Sequence, residues 1–266
     1  MQLGLGGGRS ATPSGAPAGG GGFPNAFSAQ FDGGDDYISI GTVSELGTTT
    51  DFSISVWAYL LDYLTDNDNQ TLFASGNASN LRLWLYANML NGSDKAQMYV
   101  GNGVSATYVT TGAYVLTGDA WNHIVYTQTG TTGKIYVDGA LEATKATMPA
   151  LGETDLSLNV KLGDYWTQFK PLMGKLDEVA IWESELSAAN VTAIYGTGVP
   201  NDIGPDGLNL SPLCWWRMGD SEGDTISGGG SPADDGSVGT VVNAVDPGTY
   251  DGTGTNGTLY STSVPT

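Results

Sequence analysis

The chain has 266 residues, with 9 Lys and Arg against 28 Asp and Glu, for a formal net charge of −19. Nucleic acids and anionic membrane surfaces are therefore poor partners, because binding to them depends on clustered basic residues. A single cysteine excludes an intrachain disulfide, no apolar run approaches the roughly 20 residues that span a bilayer, and residues 1–8 lack the pattern of a secretory signal peptide.

Residues 1–25 consist mainly of Gly, Pro, Ala and Ser. Such a segment buries too little apolar surface to offset the entropy of ordering, so we predict a flexible N-terminal arm. Its sizeable apolar side chains are Leu3, Leu5 and Phe23. Two interpretations stay open: a disordered leader, or an assembly arm whose three apolar side chains order against another subunit or a particle surface.

From residue 26 onward, short runs of alternating apolar and polar residues are separated by Gly, Asp, Asn and Thr, which is typical of antiparallel strands. Residues 52–58 place four apolar side chains on one face. In residues 81–86, three leucines alternate with Arg82, Trp84 and Tyr86, so these three side chains should lie on the face opposite the leucines.

Local signals mark a hairpin and a helix further along. Asp138-Gly139 is a strong hairpin turn signal. Residues 176–182 alternate like a further strand. Ser187 is a plausible N-cap for a short helix over residues 188–195, and Gly196 is a natural stop.

The C-terminal part of the chain is polar except for one aromatic run. Residues 213–218 read LCWWRM, and leaving Trp215 and Trp216 exposed in such a segment would be costly. We therefore expect residues 210–243 to complete the same sandwich, and residues 244–266 to form a low-complexity tail outside it.

Five motifs, in this order along the chain, resemble the laminin-G-like, concanavalin A-type family of lectin and glucanase domains. They are FDGGDDYI (31–38), FSISVW (52–57), WNHIV (121–125), IYVDG (135–139) and GKLDEVAIW (174–182), followed by the short helix. Residues 215–220 and 236–243 are similar to a strand pair that precedes the FDG motif in the family, as though this domain were circularly permuted.

The resemblance implies an all-β fold, a two-sheet antiparallel jelly-roll sandwich with one short helix and the flexible Gly-rich arm. Its domain should span residues 26–243. The termini of a sandwich often lie close together, so a permutation of this kind costs little.

A catalytic site is not predicted. Some relatives are glycoside hydrolases, which use a pair of carboxyl groups. The adjacent Asp177 and Glu178 should point to opposite faces of a strand. His123, the only histidine, and Cys214 are both expected to be packed core residues. The chain is therefore predicted not to be an enzyme.

The resemblance also implies a structural calcium ion, with Asp32 and Asp177 as ligands. Carboxylate oxygens suit this cation. The alternative is that Asp32 makes a turn and that Asp177 makes an ordinary hydrogen bond.

Four aromatic residues are candidates for stacking against a sugar: Trp84, Tyr86, Tyr165 and Trp166. The favoured alternative is that they lie under a loop or against another subunit. The acidic surface argues against strongly anionic glycans.

Three functions compete on this evidence. We favour a non-catalytic component of a virion surface, such as a phage capsid decoration, fibre or attachment protein, whose lectin-like sandwich binds host polysaccharide. Its partners would be other virion proteins or copies of itself, together with glycan, and it would be made in the host cytoplasm. The alternatives are a stand-alone carbohydrate-binding module or extracellular adhesin and, less favoured, a polysaccharide-degrading enzyme.

Overall fold

The computed structural model describes residues 23–47, 49–61, 69–77, 80–89, 94–151, 159–165 and 170–266. These residues form sixteen strands, one α-helix, α1 (Ala188–Tyr195), and one 3-10 helix (Ser44–Gly47). The strands are β1 (Ser28–Asp32), β2 (Tyr37–Thr42), β3 (Phe52–Leu60), β4 (Asn69–Asn77), β5 (Asn80–Asn88), β6 (Lys95–Gly101), β7 (Ala106–Thr110), β8 (Ala120–Thr129), β9 (Thr132–Val137), β10 (Ala140–Lys145), β11 (Asn159–Leu162), β12 (Met173–Trp182), β13 (Cys214–Trp216), β14 (Thr240–Val241), β15 (Gly252–Thr255) and β16 (Leu259–Ser261).

Two antiparallel sheets of eight strands pack face to face. The first sheet has the order β10-β9-β8-β3-β12-β1-β16, and β13 also pairs with β12. The second has the order β14-β15-β2-β11-β4-β5-β6-β7. Neighbouring strands are often distant in the chain, as jelly-roll connections require, and the predicted jelly-roll sandwich is confirmed. No helix among the described residues is long and apolar enough to cross a membrane.

The core between the sheets follows the predicted alternation, with one exception on β5. The four apolar side chains in residues 52–58 are fully buried in this core, as are Leu83 and Leu85. Leu81 instead packs with the aromatic side chains on the outer face of the second sheet. The register of β4 and β5 shifts between Ser75 and Gly76, which interrupts the strict alternation of faces at this end of the strand.

The helix and the hairpin turn lie where the local signals predicted them. The Ser187 hydroxyl accepts a hydrogen bond from the Asn190 amide at 3.1 Å, and helix α1 ends at Gly196, whose φ is +61°. Asp138 and Gly139 both have positive φ, +49° and +79°, and join β9 to β10. Both features depend on contacts within a few residues, so the sequence is sufficient to place them.

Strands of the C-terminal segment pair with strands of both sheets. Strand β13 pairs with β12, and Trp216 is fully buried. The expectation that residues 244–266 form a tail outside the sandwich is corrected, because β15 pairs with β2 and β16 pairs with β1. Tyr260 on β16 is fully buried, so this short strand contributes to the core as well as to the sheet.

Candidate functional site

The outer face of the second sheet carries an aromatic cluster made of Trp84, Tyr86 and Tyr165. The rings of Trp84 and Tyr86 stack with centroids 4.0 Å apart, and Tyr165 stacks on Trp84 at 5.5 Å. Trp84 Nε1 donates to Thr71 Oγ1 at 3.0 Å, and the Tyr86 hydroxyl donates to Gln97 Oε1 at 3.0 Å. The structure therefore brings together three of the four aromatic residues that the sequence predicted as a ligand site.

The rings of Trp84 and Tyr86 are too buried to stack against a ligand from solvent. Trp84 is 9% exposed and Tyr86 is 4% exposed, so the faces of these two rings are not open to solvent. The alternative in which they lie under a loop describes them better, since Tyr165 lies over Trp84. Tyr165 itself is half-buried. Trp166 lies outside the described residues, and its role stays a prediction.

A cavity of about 250 Å³ opens beside the aromatic cluster, and we call it the Arg82 cavity. Tyr99 of β6, which lines it, packs edge to face against Tyr108 of β7 with centroids 5.0 Å apart. Tyr108 is 46% exposed. Among the described residues, those that line it are Leu81, Arg82, Tyr99, Gly103, Val104, Ser105 and Ala106.

The Arg82 guanidinium forms part of the wall of this cavity. It lies against Gly103 in the turn between β6 and β7: a Cβ at residue 103 would be 2.5 Å from Nη1 and 2.9 Å from Nη2. Gly103 also has a φ of +81°, a conformation that disfavours other residues. Glycine at position 103 therefore both permits the positive φ of this turn and leaves space for the Arg82 guanidinium.

Sequence reasoning missed Tyr99, Tyr108 and the cavity. The sequence did contain a pattern that could have indicated them. Apolar and polar residues also alternate in residues 95–101 and 106–110, which places Gln97, Tyr99 and Tyr108 on the outer face. The pairing of β6 with β7 that brings the two tyrosines together depends on strand register, which is not readable from either strand alone.

Asp32 and Asp177 are not brought to one site. Asp32 pairs with Met173 on β12, four residues before Asp177, which corresponds to about 13 Å along a strand. Asp32 Oδ1 accepts a hydrogen bond from the Gly34 amide at 2.7 Å. Asp177 is fully buried, and its two oxygens accept hydrogen bonds from the Glu178 amide at 2.8 Å and from Asn25 Nδ2 at 2.9 Å.

These two carboxylates therefore do not fit the calcium site that the family resemblance implies. The alternative reading, a turn at Asp32 and hydrogen bonds at Asp177, describes their contacts. Among the described residues, no group of three or more His, Cys, Asp or Glu side chains is arranged to hold a metal ion. Calcium binding stays a prediction, and Asp32 and Asp177 do not form a common site for it.

Asp177 and Glu178 depart from the strict alternation of a strand. A β-bulge lies between Asp177 and Ala180, and Glu178 has a φ of +47°. The expectation that the two carboxyl groups are separated on opposite faces is corrected, because both are buried and the charge of Glu178 is one cause of the raised pKa of Asp177. Glu178 accepts hydrogen bonds from Trp215 Nε1 at 2.5 Å and from Arg217 Nε at 3.2 Å, while burial raises its pKa to about 7.

Residues 23–27, which we call the docked segment, attach to the first sheet, with Phe23 on its outer face and Phe27 against the core. The Phe23 ring stacks on Trp215 at 5.6 Å and lies under the Arg217 guanidinium at 4.0 Å. The amides of Ala26 and Phe27 donate to Asp220 Oδ2 at 2.8 and 3.1 Å. The end of the predicted arm is thus part of the folded body, which corrects its boundary at residue 25.

The other two apolar side chains assigned to the arm, Leu3 and Leu5, lie outside the described residues. Their role in assembly stays a prediction.

His123 and Cys214 are buried, as predicted. His123 Nε2 lies 2.8 Å from Ser55 Oγ, and the imidazole stacks on Trp57 at 4.8 Å. Burial lowers the pKa of His123 to about 3 and raises the pKa of Cys214 to about 12. A neutral imidazole and a protonated thiol without solvent access suit packing rather than nucleophilic chemistry.

Comparison with known families agrees with this architecture. The model of the family described as the concanavalin A-like lectin/glucanases superfamily, Laminin_G_3, matches residues 32–192. No curated protein matches the chain in sequence.

Several solved structures share the fold at low sequence identity. A putative carbohydrate binding protein from Bacteroides ovatus has a TM-score of 0.59 and 19% identity; the match covers 89% of this chain and 60% of that protein. The CBM40 module of a Ruminococcus gnavus sialidase, bound to α2,3 sialyllactose, has a TM-score of 0.51 and 17% identity, covering 65% of this chain and 97% of the module. A heptameric SAP-like pentraxin from Limulus polyphemus has a TM-score of 0.51 and 12% identity, with 65% and 82% covered.

Proposed function

Because the chain belongs to the concanavalin A-like lectin/glucanases superfamily, we propose that it is a non-catalytic carbohydrate-binding protein. Its ligand site is the Arg82 cavity together with Tyr108. The aromatic cluster adjoins this site, since Leu81 and Tyr99 pack against the cluster and also line the cavity.

One observation carries the proposal: the exposed ring of Tyr108 is held against Tyr99, which lines a polar cavity. A sugar presents an apolar face of C–H groups and a rim of hydroxyls. An aromatic ring supplies a surface for the first, and a few fixed polar groups supply hydrogen bonds for the second. Here Arg82 and Ser105 are the polar side chains beside the two rings.

The buried acidic groups support a non-catalytic role. Glycoside hydrolysis needs two carboxyl groups that both reach the scissile bond. Asp177 and Glu178 are 0% and 5% exposed and are engaged in hydrogen bonds within the first sheet. They lie on the face of the sandwich away from the Arg82 cavity.

A glycan array probed with the full-length protein tests this function. We expect binding to a defined set of glycans, and the variant Tyr108→Asn should weaken it about tenfold or more, a loss in the range of the roughly 1–3 kcal/mol that removing an aromatic ring costs a stacked nucleobase.

Tyr114→Asn is the matched control. Tyr114 is 76% exposed, and its φ of +62° is tolerated by asparagine. This control removes a more exposed ring that does not line the Arg82 cavity, and it should leave glycan binding unchanged. Equal binding by wild type and Tyr108→Asn would place the ligand elsewhere, and an array without any binding would contradict the function itself.

We propose in addition that this lectin-like sandwich is displayed on a virion surface. The supporting observation is the separation of two faces. Phe23, the first residue of the docked segment, packs on the outer face of the first sheet, whereas the Arg82 cavity lies on the outer face of the second. In this proposal, residues 1–22, which join the body at Phe23, hold a particle while the opposite face meets a glycan.

Deletion of residues 1–22 tests the display proposal. The variant keeps Phe23 and its contacts with Trp215 and Arg217, so its melting temperature and its glycan binding should match those of the full chain. Incorporation into particles should be lost. A truncated chain that enters particles at the normal level would show that the arm does not anchor the protein.

A further inference from the structure

A polar pair, Gln97 of β6 and Thr110 of β7, lies beside Tyr108 on the side away from the Arg82 cavity. Ala106, which lines that cavity, is two residues before Tyr108 on β7, and Thr110 is two residues after it. Thr110 therefore faces the same way as Tyr108, about 7 Å along the strand. Gln97 is directly opposite Thr110. A ligand that lies on the Tyr108 ring thus has the polar pair at one of its edges.

The orientation of the Gln97 amide is fixed by two hydrogen bonds. Its Oε1 accepts from the Tyr86 hydroxyl at 3.0 Å and from Thr110 Oγ1 at 3.3 Å. Burial raises the pKa of Tyr86, so that its hydroxyl keeps the proton that it donates. Gln97 Nε2 carries two N–H donors, has no hydrogen-bond partner in the described part of the chain, and is not sealed from solvent. Gln97 therefore presents a donor whose position is already set.

The Thr110 hydroxyl supplies an acceptor next to this donor. Its proton is directed at Gln97 Oε1, which leaves the lone pairs of Oγ1 for a ligand. Thr110 is exposed, and β7 is the last strand of the second sheet. The pair therefore offers one donor and one acceptor side by side, and neither group is charged.

The geometry points to a neutral sugar that lies on Tyr108 and turns two adjacent hydroxyls toward the polar pair. One hydroxyl oxygen accepts from Gln97 Nε2, and the neighbouring hydroxyl donates to Thr110 Oγ1. This inference rests on the proposed function, to which it adds a second recognition surface and the class of sugar that is bound there.

Other groups that sugars carry match the polar pair less well. An ionised carboxylate has no proton to donate to Thr110, and the net charge of −19 repels it. The N–H and C=O of an acetamido group point in opposite directions, because the amide is planar and trans, so only one of them can face the pair. Hydroxyls on neighbouring carbons can each rotate to donate or to accept. The pair therefore favours a free vicinal diol.

The experiment uses the full-length protein. A glycan array identifies the tightest-binding glycan, and isothermal titration calorimetry compares that glycan with its monodeoxy analogues. Removal of either of two adjacent hydroxyls should weaken binding by about five- to tenfold. Gln97→Glu keeps an oxygen that accepts from Tyr86 and Thr110 but replaces the N–H donors with a second oxygen. This variant should bind the parent glycan more weakly by about the same factor, and removal of one of the two hydroxyls should then have no further effect.

Thr110→Val tests the other half of the pair, because valine keeps the shape of threonine and lacks the hydroxyl. It should abolish the effect of removing the second hydroxyl. Gln30→Glu is the control for Gln97→Glu, since Gln30 is half-buried on β1 of the first sheet. Thr144→Val is the control for Thr110→Val, since Thr144 is exposed on β10, the last strand of the first sheet. Both controls should bind as the wild type does, and melting temperatures verify that each variant is folded.

The outcomes separate the two proposals. Wild-type affinity in Gln97→Glu, or deoxy effects that persist in both variants of the pair, overturns the inference. Tightest binding to a glycan whose sugars have no free vicinal diol overturns it as well. In each of these cases the carbohydrate-binding function stands if Tyr108→Asn weakens binding. An array with no binding at all overturns both.

Discussion

Among single residues, Asp224 shows how one buried carboxylate connects segments of the C-terminal part of the chain. Its Oδ2 accepts hydrogen bonds from the amides of Gly219 at 2.8 Å and Ser221 at 3.0 Å, and its Oδ1 accepts one from the amide of Val242 at 2.6 Å. The side chain is 5% exposed, and burial raises its pKa to about 6. The three amides would have no acceptor without it.

We therefore expect Asp224→Ala to lower the free energy of unfolding by about 2–3 kcal/mol, the cost of leaving buried amides unpaired. Asp224→Asn keeps one acceptor oxygen and should lose less. Urea denaturation measures both. Asp246→Ala, at an exposed position of the same region, should change nothing, and a wild-type unfolding curve for Asp224→Ala would contradict the role described here.

The sequence predicted that aromatic residues form the candidate site, but it did not predict which aromatic residues are exposed there. Alternation along β5 correctly placed Trp84 and Tyr86 on the outer face of a sheet. Their burial follows from Tyr165, which comes from a distant loop and lies over Trp84. The exposed ring, Tyr108, belongs to a strand at the edge of the sheet, where fewer neighbours cover it. Exposure is a property of the assembled surface, so the sequence could not rank these aromatics.

At the scale of elements, the sequence predicted the helix and the turns that depend on neighbouring residues, and it missed strands that depend on contacts between distant parts of the chain. Helix α1 and the turn between β9 and β10 are specified by capping and turn residues within their own segments. Strands β15 and β16 are three or four residues long and contain Gly, Thr and Ser, so neither has a recognisable strand pattern. They form because β1 and β2 offer unpaired edges to them.

The bulge on β12 is another feature that local sequence does not show. Residues 173–182 alternate well enough to predict a strand, and β12 is one. The positive φ of Glu178 is stabilised by partners far along the chain, since Trp215 and Arg217 donate to its carboxylate. An irregular position of this kind is decided by tertiary contacts, and it is the reason that two adjacent carboxyl groups are both buried.

At the scale of the whole molecule, buried carboxyl groups make the stability depend on pH. Burial raises the pKa of Glu178 to about 7 and the pKa of Asp36 and Asp224 to about 6, and it also raises the pKa of Asp177 and Asp220. Between about pH 4 and these values, the folded protein binds more protons than the unfolded chain, so the free energy of unfolding falls as the pH rises.

We therefore expect the protein to be more stable at pH 5 than at pH 8, by on the order of 2 kcal/mol. His123 acts in the opposite direction below pH 6.5, because its pKa is lowered to about 3, but it is one group against several carboxyls. Urea denaturation at pH 5, 6, 7 and 8 and constant high ionic strength measures the trend. A stability that increases from pH 5 to pH 8 would show that these carboxyl groups are not desolvated in solution.

The sequence by itself determined the all-β class, the strands with strong alternation, the helix with its caps and the family, because these depend on residue patterns within short segments. The tertiary structure decided the rest: which aromatic ring is exposed, that Asp32 and Asp177 lie apart, that the C-terminal residues complete both sheets, and that Arg82 lines a cavity. Each of these depends on strand register and on contacts between residues far apart in the chain, and such contacts exist only once the two sheets have packed together.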